Sequence, residues 1–161
     1  MTVSASLVVD IDDLEPETVE KLRAAINAVL AEANFVPDPA AVAGWTAPSV
    51  VEFDKRLRAR HRPVQADSIA ASAHAGGHVT RAAVYAIGGY QPDRSLNGFT
   101  KPVRGVMKEM VAEGLIPADA AMPLEPVYDP TNQSFQKAQG FTMPAEVAAV
   151  FASALTPPTT S

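Results

Sequence analysis

Apolar and polar residues alternate at the start of the chain with the period of a strand, then shift to the period of a helix. Val3, Ala5, Leu7, Val9 and Ile11 interleave with Thr2, Ser4, Ser6, Val8 and Asp10, which predicts a strand with one apolar face over 3–11. Asp12 and Asp13 end it. Glu15, Pro16 and Glu17 then open a helix, because proline and acids suit a first turn. Val19, Leu22, Ile26, Val29 and Leu30 form its apolar stripe. A strand and a helix cannot bury each other fully. The strand is therefore expected to pair with the hairpin described below or with its copy in a homodimer.

Residues 34–48 carry three prolines and no useful period, and read as a semi-extended linker. Phe35 and Trp45 are expected to pin it to the core. Ser49 and Glu52 have capping-box spacing and predict the next helix, with Val50, Phe53 and Leu57 facing inward. Pro63 starts another helix, with Val64, Ile69, Ala70 and Ala73 on a small-residue face, closed by Gly76 and Gly77. Thr80 caps a short helix carrying Val84 and Ile87. A polar connection of about ten residues follows, over 90–99.

The helix after it has the most informative pattern. Thr100 is expected as N-cap, Pro102 falls in the first turn, and Gly114 suits the left-handed position after the last turn, with Leu115 folded back toward Met110. Val103, Val106, Met107, Met110 and Val111 form one stripe. Lys101, Arg104 and Lys108 share a different face, and Gly105 and Ala112 keep the surface beside them low. Downstream, residues 122–128 and 135–143 read as two strands joined by a polar turn, the first confined to a sheet edge by Pro123 and Pro126. Pro144 opens a last helix with Val147, Val150, Phe151 and Leu155 on one face.

Charge changes the picture more than composition does. The chain of 161 residues carries a net charge of −5. Residues 1–54 hold −8, residues 55–108 hold +8 and residues 109–161 hold −5. A basic middle between acidic ends is a patch, and patches attract polyanions even on an acidic molecule. Internal neutralisation by the acidic ends is the competing reading, and Asp54 with Arg58 is one candidate pair. There are no cysteines, which excludes disulfide and thiol chemistry and fits a reducing, cytoplasmic setting. No run of about 18 apolar residues occurs, so no membrane partner is expected.

Catalytic and metal chemistry find little support. His74 and His78 are four apart, a zinc spacing on a continuous helix, but Gly76 and Gly77 intervene. Asp10, Asp12 and Asp13 lack the glycine and distal glutamate of a calcium loop. No phosphate-loop, dinucleotide or G-x-S-x-G motif is present. The expectation is no enzyme, no cofactor and no metal.

Helix, short helix, basic helix and two-stranded hairpin, in that order, resemble a winged helix-turn-helix domain over about 63–143. The close of the third helix, EGLI before an extended hairpin, carries part of that resemblance. The resemblance implies that Thr100, Lys101, Arg104 and Lys108 face the major groove and that Lys137 lies near the wing tip with residues 131–134. It also implies a phosphate contact for Arg81. Two features depart from the pattern: the long connection before the third helix, and a wing whose one basic residue is Lys137.

These observations give a mostly helical α+β fold with a winged helix-turn-helix core. An N-terminal strand–helix unit spans 1–33, a linker 34–48, the core 49–143, a C-terminal helix 144–155 and a tail 156–161. The expected function is double-stranded DNA binding by a homodimeric transcriptional regulator or nucleoid-type protein. Arg56, Arg58, Arg60 and Arg62 would join the groove-facing residues. The alternative is a protein-interaction module on the same fold.

Overall fold

In the computed structural model, which describes residues 15–34, 41–131 and 137–157, six helices and a three-stranded antiparallel sheet follow one another. They are α1 (Pro16–Asn34), α2 (Ala47–Ala59), α3 (Pro63–His74), β1 (His78–Thr80), α4 (Arg81–Gly88), α5 (Lys101–Ala112), β2 (Glu125–Tyr128), β3 (Ala138–Thr142) and α6 (Ala145–Ala154). The strand expected over 3–11, Phe35, and residues 132–136 between β2 and β3 lie outside the described residues.

The linker gives way to helix earlier than the sequence predicts. Thr46, not Ser49, is the N-cap of α2. Its hydroxyl accepts from the Ser49 amide at 3.3 Å, and the Ser49 hydroxyl accepts from the Thr46 amide at 2.9 Å, a reciprocal pair. Pro48 therefore stands in the first turn, where it has no hydrogen bond to lose. Val50, Phe53 and Leu57 are fully buried, as their spacing predicts.

Just before that cap, Val42 and Trp45 exchange both backbone hydrogen bonds at 2.9 Å and form a tight turn. Gly44 has φ +90°, and a Cβ there would stand 2.8 Å from the Ala120 Cα. Only glycine suits both the turn and that approach. The turn delivers Trp45 into the core. Its ring meets Phe53 at 5.2 Å and Phe151 at 5.0 Å, both edge-on, and its Nε1–H donates to the Ala121 carbonyl at 2.8 Å.

α3 is the central helix, packed against α2, α4, α6 and β1. Its small face, including Ala66, Ala70 and Ala73, lets α6 approach closely, with Ala148 among the buried residues opposite. The C-terminal helix is thus part of the core, not an addition to it. Ser68 and Ser72 are completely buried on α3, and neither hydroxyl has a hydrogen-bond partner among the described residues. An unpaired buried hydroxyl costs roughly 1–3 kcal/mol, and alanine is the better helix former. Ser72→Ala should therefore raise stability by about 1 kcal/mol in a denaturant titration, and Ser68→Ala by a similar amount. A drop in the unfolding midpoint for both would show that the hydroxyls are bonded in solution.

The sheet order is β1-β3-β2. Val79 pairs with Phe141 on one side of β3, and Pro126 pairs with the same residue on the other. β2 is an edge strand, the position that its proline demands. The three residues of β1 give too few alternations to be seen in the sequence. They are recruited by β3, by the Met143 amide donating to the Gly77 carbonyl at 2.8 Å, and by the Thr142 hydroxyl donating to the same carbonyl at 2.8 Å.

α1 has its main packing on α5. Val19, Leu22 and Ile26 are half-buried there, while Val29 is 64% exposed. The predicted stripe is thus only partly used. No helix among the described residues is long and apolar enough to cross a membrane.

Candidate nucleic-acid interface

α5 is built as its sequence pattern predicts, with one exception. Val103, Val106 and Met110 are fully buried, and Met107 and Val111 flank them half-buried. The helix closes on Gly114 at φ +72°. The Gly114 amide donates to the Val111 carbonyl at 3.0 Å and the Leu115 amide to that of Met110 at 2.9 Å, the two bonds of a Schellman close. The exception is Thr100, which precedes the helix in a right-handed conformation (φ −87°, ψ −7°) and makes no side-chain cap. The 97–100 segment already winds as turns, with the Lys101 amide on the Gly98 carbonyl at 3.1 Å. A helical Thr100 cannot swing its hydroxyl onto the first-turn amides.

Lys101, Arg104 and Lys108 are exposed on one face of α5, and none has an ion-pair partner among the described residues. The arginine run at the end of α2 is different. Arg56 bridges Glu52 at 2.7 Å and Glu113 at 2.6 Å. Arg58 bridges Asp54 at 2.9 Å and Asp67 at 2.8 Å. Arg60 pairs with Glu109. Two of these bridges, Arg56–Glu113 and Arg60–Glu109, join α2 to the flank of α5 beside Gly105. Among the described residues the acids come from α2, α3, α5 and the C-cap of α5.

Hydrogen bonding by the Arg56 guanidinium holds the Glu52 carboxyl below its ordinary range, and the Glu52 and Glu113 carboxylates raise Arg56. Asp54 and then Asp67 raise Arg58 against the opposing effect of burial. The depressed Glu52 favours folding above its unfolded value, and that contribution is lost as the pH falls through its folded value. These pairs are partly exposed and solvent screens them, so each contributes little to stability. Their consequence is electrostatic, since three arginine charges are locally neutralised.

Arg81 is occupied as well. Its Nη1 donates to the Ala138 carbonyl at 3.0 Å and its Nη2 to the Arg94 carbonyl at 3.3 Å, and its guanidinium lies 5.0 Å from the centre of the Tyr85 ring. Arg81 thereby ties α4 to β3 and to the connection before α5. Arg62 is exposed at the start of α3, and Lys137 is exposed at the start of β3. Beyond β2, the Asp129 carboxylate accepts from the Thr131 hydroxyl at 2.6 Å and amide at 2.8 Å, which lowers its pKa.

Sequence reasoning treated the 90–99 connection as a link alone. In the structure it forms one wall of a cleft of about 460 Å³ against the start of α5 and the β2–β3 hairpin, with Arg81, Asn97, Thr100, Tyr128 and Lys137 among its lining. Arg94 in this connection stacks its guanidinium 4.0 Å from the centre of the Tyr90 ring. The length of the connection and its content of Arg94 and Asn97 were the available signals. His74 bonds the Leu155 carbonyl through Nε2 at 2.9 Å, and no group of three metal-ligating side chains occurs among the described residues. Comparison with family models, with curated proteins and with solved structures finds no match for this chain.

Proposed function

We propose that this chain binds double-stranded DNA through α5, as a winged helix-turn-helix protein in which the β2–β3 hairpin is the wing. The observation that carries this reading is the exposed face of Lys101, Arg104 and Lys108, unpaired among the described residues, on a helix whose opposite face is buried. A helix anchored on one side and cationic on the other suits a major groove about 12 Å wide. The order helix, β1, helix, helix, hairpin supports the fold assignment, as does the placing of β1 outside β3. A homodimer belongs to the same proposal. Catalysis, a cofactor and a metal do not.

The ion pairs narrow the footprint. With Arg56, Arg58 and Arg60 neutralised and Arg81 bonded to carbonyls, Lys101, Arg104 and Lys108 are the phosphate contacts on α5, and Arg62 and Lys137 are exposed outside it. Fluorescence anisotropy with random duplex across a salt series tests this. The slope of log affinity against log salt should be near −3, from about three phosphates. A slope near zero, or no binding at low salt, would reject DNA as the partner. The neutralised arginines and the single wing cation favour the second reading, a protein-interaction module, which then takes its place.

A further inference from the structure

A second cleft, of about 340 Å³, lies on the other side of the 90–99 connection, between the starts of α3 and α5. His61, Arg62, Arg94 and Lys101 line it, with Gln65 and Tyr90. No aspartate or glutamate is in its lining, and none of the three cations has an ion-pair partner among the described residues. This contrasts with the arginines of α2, where each charge meets a carboxylate. Among the described residues one group of cations is neutralised and another is left together and open.

The cations come from three separate segments. Arg62 precedes α3, Arg94 belongs to the connection, and Lys101 opens α5, with its stem lying over Gly98. The Arg94 guanidinium lies over the Tyr90 ring, 4.0 Å from its centre, and guanidinium N–H groups suit a planar, two-point contact with an oxyanion. The first turns of α3 and α5 also line the cleft, and neither has a side-chain cap. The positive end of the α3 dipole, at Val64 and Gln65, adds partial positive charge to that of the side chains. Gathering like charges in a concave surface is unfavourable unless an anion occupies it.

We infer that this cleft binds a phosphate group. The group belongs either to a small phosphorylated molecule or to the backbone of a duplex, and the chemistry is the same in both cases. The site shares Lys101 with the α5 face, but Arg62 and Arg94 lie off that face, so it does not require that Arg104 read DNA.

The test is the thermal midpoint of the full chain in inorganic phosphate, with chloride at equal ionic strength as reference. At tenfold excess over Kd, a bound phosphate should raise Tm by about 3–6 °C. Arg62→Gln and Arg94→Gln should abolish that rise, each read against the same variant's own Tm in chloride. Lys55→Gln, an exposed cation outside the cleft, should keep it. Duplex titrations on the same variants identify the source. Unchanged duplex binding assigns the site to a small phosphorylated ligand. A parallel loss of duplex affinity, with phosphate competing against duplex, assigns it to the backbone. No rise above the chloride reference, or an equal rise in the cleft variants and Lys55→Gln, overturns the site whatever the duplex result.

Discussion

Trp45→Ala should destabilise the chain by about 3–5 kcal/mol and lower Tm by roughly 10 °C or more. The indole is fully buried between Phe53 and Phe151, two residues supplied by α2 and α6. Truncation removes the area it buries, both edge-on contacts and the donor to the Ala121 carbonyl, and it leaves a cavity where two helices meet. Trp45→Phe separates these effects. It fills most of the space but strands the Ala121 carbonyl, at a cost of about 1–3 kcal/mol. Urea unfolding followed by circular dichroism checks both variants, since the single tryptophan is itself replaced. A loss under 1 kcal/mol for Trp45→Ala would mean that the turn at 42–45 is dispensable and the aromatic cluster does not organise the core.

The second large effect separates binding from stability on one helix. Arg104→Ala should weaken duplex binding by about 1–3 kcal/mol and relax sequence preference, since arginine can bond guanine at two points. Its side chain is exposed, so the melting temperature should hold. Val106→Ala, fully buried two residues away, should do the opposite. It should cost about 2 kcal/mol of stability through lost burial and a cavity, with intrinsic affinity kept in the folded fraction. Lys108→Ala should weaken all duplexes alike and reduce the salt slope by about one. Anisotropy and thermal melts on the three variants give the comparison. If Arg104→Ala and Lys108→Ala leave binding and slope unchanged, α5 is not the groove-reading element.

The local physics of α5 was legible in the sequence because helix period, proline and glycine act within one or two turns. Val103, Val106 and Met110 are buried where the period puts them, and Gly114 closes the helix where its lack of a Cβ allows. The same holds for the inward face of α2, the edge position of β2 and the anchoring of Trp45. Each depends on neighbours within a few residues, or on a large apolar side chain having nowhere else to go.

What the sequence could not determine was which distant groups meet. The run from Arg56 to Arg62 reads as a cationic block, yet three of its charges are bound by carboxylates up to 57 residues away, in Glu113 and Glu109 as well as in nearer acids. Arg81 reads as a phosphate contact, yet its donors reach the Ala138 and Arg94 carbonyls. β1 has no signal of its own and exists because β3 supplies a partner. The sequence by itself determined the helices, the buried faces of α2 and α5 and the cationic stripe on α5, since these follow from periodicity along one segment. The tertiary structure alone decided which cations are neutralised and which are gathered in a cleft with no ion-pair partner among the described residues, because a charge pair depends on distance in space, which separation along the chain does not fix.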